Sequence, residues 1–248
     1  MPPEWNAQLL RLSLFLGEKL TESESLWKSA TGDEPQIDDN RPREGARRQA
    51  GQIGGGTLEV QSNAVRIDWL FGPPQIEGLA PPSFIIGSYE VARKAFSDAV
   101  TPWLANSSLS AHRIAFGAVA LSPVQSKEDG YRRLQGHLRS VKLDPENSSD
   151  FFYQINWPRS SRVVSNLKLN RMIKLHSIIL RQLPIQQPTA TGQMPATFPL
   201  VEENFCRVEC DHSTIAEHLD LFRHGDLVPL FRELDALAAE NVEQGEIP

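Results

Sequence analysis

The run TLEVQSNAVRIDWLF at residues 57–71 constrains this chain more than any other segment. Leu58 and Val60 precede a polar Gln61-Ser62-Asn63 corner, after which Val65, Ile67, Trp69 and Phe71 alternate with Arg66, Asp68 and Leu70. A period of two puts successive side chains on opposite faces of an extended chain, so the segment predicts a hairpin with one apolar face. A lone hairpin is marginal in water, and the rest of the chain must supply strands and helices to cover that face.

Further strands follow from the same period. In LLRLSLFL at 9–16, Leu10, Leu12, Leu14 and Leu16 share one side. HRIAFGAVAL at 112–121 reads as a buried strand with Gly117 as a bulge, and Phe151, Tyr153, Ile155 and Trp157 alternate again. Residues 167–180 form a long apolar and basic strand, and 205–211 a last short one. Helical spacing is confined to four places: a short stretch at 22–29, the series Tyr89, Ala92, Phe96, Val100 and Trp103, the series Tyr131, Leu134, Leu138 and Val141, and Leu227, Phe231, Leu234 and Ala238 after an Asp226 N-cap. Pro102 is expected to end or kink the second of these, because it lacks an amide hydrogen. Residues 31–56 lack an apolar period, and 182–199 add four prolines, so both are expected to be long exposed loops. Hairpins and strands interrupted by isolated helices predict a single α+β domain over 1–248, an antiparallel or mixed sheet with helices packed on one face. No tandem repeat of 20–50 residues is apparent.

Composition sets limits on function. With 248 residues, 40% hydrophobic and 23% charged, the chain is too apolar to be mainly disordered and long enough to bury a core without staples. Two cysteines make no disulfide framework, and the polar start MPPEWNAQ and the lack of any long apolar run point to a cytoplasmic protein without membrane insertion. The net charge of −6 divides unevenly, as −3 over residues 1–125, +6 over 126–201 and −9 over 202–248. Packed segments of opposite sign can neutralise one another, which leaves the gradient compatible with a structural role.

Several apparent motifs fail on context. GQIGGG at 51–56 suggests a phosphate loop, but no Lys-Ser or Lys-Thr follows, and the run leads into a strand where the nucleotide fingerprints need a helix. Cys206, Cys210, His212 and His218 lie close in sequence, yet four residues along a strand separate the two thiols by about 13 Å, too far for one zinc ion. They read as buried apolar-like cysteines, and no metal site is expected. No Gly-x-Ser-x-Gly elbow is present, and adjacent His212 and Ser213 do not make a triad. The best enzymatic pattern places Asp38 or Asp39 before Glu59 and Gln61, a degenerate form of the acid followed by Glu-x-Lys or Glu-x-Gln of restriction-endonuclease-like proteins. Two carboxylates converging at a sheet edge would hold Mg²⁺ for phosphodiester cleavage, and Mg²⁺ is a cofactor under this reading alone.

The densest polar feature is DEPQIDDNRPREGARRQ, in which Arg41, Arg43, Arg47 and Arg48 follow Asp33, Glu34, Asp38 and Asp39. Planar guanidinium forks suit carboxylate or phosphate partners, and Trp27 is the nearest candidate for an apolar anchor beside them.

The order RIDWLF, YEVARKAF, PWL, HRIAFG and finally FRELDAL, covering roughly 57–122 and 204–240, resembles a sporadically distributed family of uncharacterised prokaryotic proteins. The HRIAFG strand departs from that family's usual tyrosine ending. The resemblance implies a bacterial α+β protein and transfers no activity and no functional residue. The expected function is therefore a non-catalytic cytoplasmic bacterial protein that binds a macromolecular partner, a protein in the first instance, as an accessory component of a multi-protein system. The alternatives are the metal-dependent nuclease or phosphodiesterase using Asp38, Asp39, Glu59 and Gln61, and a nucleic-acid-binding protein without catalysis, whose affinity would fall steeply with salt.

Overall fold

A computed structural model describes residues 4–20, 25–74, 83–182, 201–218, 220–222 and 224–247. Its strands are β1 (Asn6–Leu16), β2 (Ile37–Arg41), β3 (Ala46–Ile53), β4 (Gly56–Asn63), β5 (Arg66–Gly72), β6 (Gly87–Ser88), β7 (Ala111–Val124), β8 (Phe152–Asn156), β9 (Arg159–Ser160), β10 (Lys168–Gln182) and β11 (Val201–Thr214). The helices are α1 (Leu26–Thr31), α2 (Tyr89–Asn106), α3 (Lys127–Gln135) and α4 (His224–Gln244). Every pairing is antiparallel, in the order β2-β3-β4-β5-β1-β7-β11-β10-β8, with β6 on β1 and β9 on β10. The molecule is thus richer in sheet than the sequence pattern alone implied.

Outward from the β1·β7 joint the two sides follow one plan, with four strands beyond β1 and three beyond β7. Each half opens with a central strand (β1, β7), passes through a short helix (α1, α3), builds strands inward from the edge, closes on its opening strand (β5 on β1, β11 on β7) and ends in a long helix (α2, α4). This duplication of plan, over 6–106 and again over 111–244, lies well above the 20–50 residue periods that mark tandem repeats.

The hairpin expected at 57–71 is β4–β5, with Leu58 opposite Phe71 and Val60 opposite Trp69. Its turn is Ala64-Val65, since Asn63 already pairs with Arg66; the polar Gln61-Ser62-Asn63 stretch stays in the ladder because strand pairing uses backbone groups. Leu12 of β1 lies between Trp69 and Phe116, which places the leucine stripe at the centre of the sheet. Phe96 of α2 and Phe231 of α4 meet Phe71 and Phe116 with ring centroids 5.7–6.4 Å apart, so one aromatic cluster joins both halves. Arg93 and Asp235 tie the two long helices at 2.7 Å.

Several expectations are corrected. The segment 31–56 contains β2 and β3, not a continuous loop: β3 pairs fully with β4, so its backbone needs no apolar side chains to be held. The glycine run is the β3–β4 turn, in which Gly54 and Gly55 have φ of 49° and 83°, the pair of left-handed residues that a two-residue hairpin turn requires. Gly117 is not a bulge; the irregularities in the β1·β7 ladder fall at Ala7/Leu9 and Phe15/Leu16. At Gly117 the Arg11 side chain crosses β7 to reach Asp211 on β11, and a Cβ there would meet its guanidinium at 3.5 Å. Helix α2 continues to Asn106 past Pro102, and β11 begins at Val201 and runs to Thr214. The loop expected at 182–199 lies, beyond Gln182, outside the described residues.

A carboxylate clasp fixes the end of the chain. Glu246 is fully buried and accepts hydrogen bonds from the amides of Arg139 at 2.9 Å and Ser140 at 2.8 Å, from the Ser140 hydroxyl, and from Tyr153 Oη at 2.7 Å. Burial opposes ionisation, but these donors outweigh it and hold the carboxyl down at about 2. Because its native value lies below the unfolded one, the stabilisation is complete above about pH 4.5 and is lost as pH falls towards 2. His212, also buried, is held down at about 4 by desolvation and loses its contribution between pH 6.5 and 4. Glu246→Gln is expected to lower the thermal midpoint by roughly 4–10 °C at pH 7, as removal of a buried charge-assisted set costs about 2–3 kcal/mol. The gap from the wild type should close between pH 4.5 and 2, read by circular dichroism; equal midpoints at pH 7 would remove the clasp from the account.

Candidate functional site

Side chains along β2 alternate between the two faces of the sheet. Asp38 lies opposite Gln49 and Asp39 opposite Arg48, so the paired aspartates point apart. On the core side, Arg47 binds Asp38 through both nitrogens, at 2.9 and 2.7 Å, and Gln49 reaches Asp38 at 3.2 Å. The Arg47 bond holds the Asp38 carboxyl below its ordinary range. Gln49, 1% exposed, also donates to Ser25 Oγ at 2.8 Å and accepts from the Trp27 amide at 3.2 Å, which fastens α1 to the sheet edge. On the opposite side, Arg41 binds Asp39 at 2.9 Å, Arg48 binds Glu59 at 2.6 Å, and Arg66 binds Asp68 at 2.7 Å. Burial pushes Glu59 up, but the bonds from Arg48 and Gln61, the latter at 2.5 Å, leave it below the usual carboxylate value.

Two clefts meet at the ends of these strands. One, of about 280 Å³, is lined by Arg41, Arg47, Arg48 and Arg66 with Asp39, Gln61 and Asp68. The other, of about 530 Å³, lies under the β2–β3 turn, with Leu20, Leu26, Trp103 and Leu109 as its apolar part and Asn40, Asn106 and Ser108 among its polar groups. Ala46, Arg47, Ser62 and Asn63 line both. A larger, partly apolar cavity thus adjoins a smaller one lined by four arginines, of which Arg47 turns its guanidinium to Asp38 on the core side.

The structure brings together three of the four expected arginines. Arg43 stands exposed in the turn between β2 and β3, and Gly45 closes that turn with φ of 60°. Trp27 is 3% exposed and packs over Gly51, where an added Cβ would lie 2.7 Å from its ring; it belongs to the core beneath α1 and is not a surface anchor. The carboxylates of the nuclease pattern do not converge. Asp38 is on the core side, while Arg48 lies between Asp39 and Glu59 and takes up the latter's charge. Among the described residues no group of three His, Cys, Asp or Glu side chains is arranged to hold a metal ion. Cys206 and Cys210 are buried on β11, and burial pushes the Cys206 thiol up to about 12 and Cys210 higher still, so neither is a nucleophile at neutral pH.

Sequence reasoning missed Arg66, Gln49 and the cavity itself. Arg66 was readable from its place on the polar side of the RIDWLF alternation, but the cavity is assembled from Leu20, Leu26 and Ser29 with parts of 40–47, 62–64 and 103–109, which no local pattern connects. No helix among the described residues is long and apolar enough to cross a membrane. Comparison with protein-family models, with curated proteins and with solved structures finds no match.

Replacing Gln49 removes three hydrogen bonds from one buried amide. Gln49→Ala is expected to cost about 1–3 kcal/mol, to red-shift tryptophan emission as Trp27 gains water, and to speed hydrogen exchange over 25–31. Unchanged exchange in α1 would show that the helix is held by packing alone.

Proposed function

We propose that the protein is a non-catalytic binding module that holds a protein partner at the β2–β5 end of its sheet. The observation that carries this reading is the continuity of the two clefts through Ala46, Arg47, Ser62 and Asn63. An apolar side chain of the partner fits the 530 Å³ cavity against Leu20, Leu26 and Leu109, while its carboxylates exchange into the ion pairs of Arg41, Arg48 and Arg66. Arg43, exposed in the turn and without an ion pair among the described residues, is the first arginine an approaching acidic surface meets. Arginines already matched by acids give little net attraction; they favour specificity, since a partner has to replace the carboxylates it displaces. The site sits on turns set at the ends of paired strands, where recognition residues are adaptable and their scaffold is fixed.

Two variants test this. In Arg41→Ala/Arg43→Ala/Arg47→Ala/Arg48→Ala the guanidinium wall is removed, and in Ala64→Trp an indole fills the cavity from the exposed turn. Both should retain the wild-type circular dichroism spectrum and lose the partner captured by wild-type protein, with affinity at least about tenfold weaker, or 1.4 kcal/mol. Retention of every wild-type partner by both variants would sink the assignment. Mg²⁺-dependent phosphodiester cleavage abolished by Glu59→Ala would replace it with the nuclease reading.

A further inference from the structure

Helix α4 carries two stripes. Leu227, Leu230, Phe231, Leu234 and Ala238 are buried against the sheet, while Arg232 and Ala236 are exposed along one flank. That flank, with Arg159, Arg162 and Val163 after β8, encloses a shallow groove of about 510 Å³. Ion pairing here differs from that at the β2–β5 end. Glu233 accepts from Ser161 Oγ at 2.6 Å and from the Arg162 amide at 2.8 Å, so its charge is committed to holding the 161–164 turn against the helix. Ser161 Oγ in turn accepts from the amides of Val163 and Val164 at 3.1 and 3.2 Å, which fixes the turn from within. The guanidinium groups of Arg159, Arg162 and Arg232 have no carboxylate partner among the described residues. A fourth, Arg171, lies behind them, 4% exposed, its guanidinium bonded among the described residues to the carbonyl oxygens of Trp157 at 3.0 Å and Ile247 at 2.6 Å. Burial, and after it the charge of Arg159, disfavour its protonated form, against a smaller favourable effect of Glu240.

We infer that this groove is a second docking site, for an acidic segment of a protein partner with a small apolar residue between its carboxylates. Three unpaired guanidinium groups supply the charge complement, and Val163, 44% exposed, offers an apolar contact beside them. A peptide is favoured over nucleic acid because Glu240 also lines the groove: a peptide can set an uncharged residue opposite it and keep its carboxylates on the arginines, whereas phosphate charge recurs along the whole of a nucleic-acid backbone. The site lies on the half of the molecule opposite the β2–β5 end, so its failure leaves the first proposal standing, and the reverse holds.

The test is fluorescence anisotropy of the full chain with three labelled probes: a decapeptide of glutamates around a central Val-Ala, the same peptide with lysines, and a ten-nucleotide single-stranded DNA. The acidic peptide should bind in the micromolar range, at least about tenfold tighter than either control, and weaken as salt rises. Arg159→Glu/Arg162→Glu/Arg232→Glu should abolish that binding without moving the thermal midpoint, and Val163→Asp, which leaves the arginines in place, should weaken it about tenfold. Arg41→Ala/Arg43→Ala/Arg47→Ala/Arg48→Ala should bind like the wild type. No binding of the acidic peptide, equal binding by the triple variant, or tighter binding of the DNA would each overturn the proposal.

Discussion

The β1·β7 ladder holds this structure together. It joins residues about 100 positions apart, and each of its strands is also the anchor of one half of the sheet, β5 on β1 and β11 on β7. Leu10, Leu12 and Leu14 pair with Ala118, Phe116 and Ile114, so the stripe readable in the first strand is completed only by residues of the second half. The phenyl rings of α2 and α4 settle against Phe116 at this joint. Neither half covers this cluster alone, because Phe71 and Phe96 come from one and Phe116 and Phe231 from the other. A centre built from such distant pairings carries a high contact order, and the fold is expected to form slowly for its size.

A stiff centre leaves recognition to the margins. On the side of the central strands opposite the leucine stripe, Arg11 spans Gly117 to reach Asp211, and Arg66 and Arg113 stack on Phe15 at 4.9 and 5.4 Å. These contacts are local. At the β2–β5 end the same kinds of pairs occur on short strands and turns beside a cavity, and along α4 the arginines lose their acids altogether. Moving outward, the chain passes from charge spent on structure to charge that remains for a partner.

Much of this was legible in the sequence wherever burial imposed a period. The β4–β5 hairpin, the leucine strand, α2 and α4 each keep one apolar face, and that face was readable without knowing what covers it. Strands β2 and β3 were not, since IDDNR at a sheet edge needs no apolar face, and its pairing rests on backbone groups that sequence does not display. The arginines of this segment stood out by density, but their division between two sides of the sheet follows from the register with β4, and Trp27 was misjudged because Gly51 opens a place for its ring in the core. The unpaired arginines of the α4 groove come from 159–162 and 232, and only the fold shows that Glu233 is occupied by a serine and an amide.

Native-state hydrogen exchange tests the central claim, that one joint makes both halves a single cooperative structure on which the binding margins are carried. Amides of β1, β5, β7 and β11 should exchange slowest and with one common opening free energy, while β2 and the 42–45 turn open locally and faster. Two separate slow sets, one for β1 and β5 and another for β7 and β11, would show that the halves unfold independently and would contradict the account.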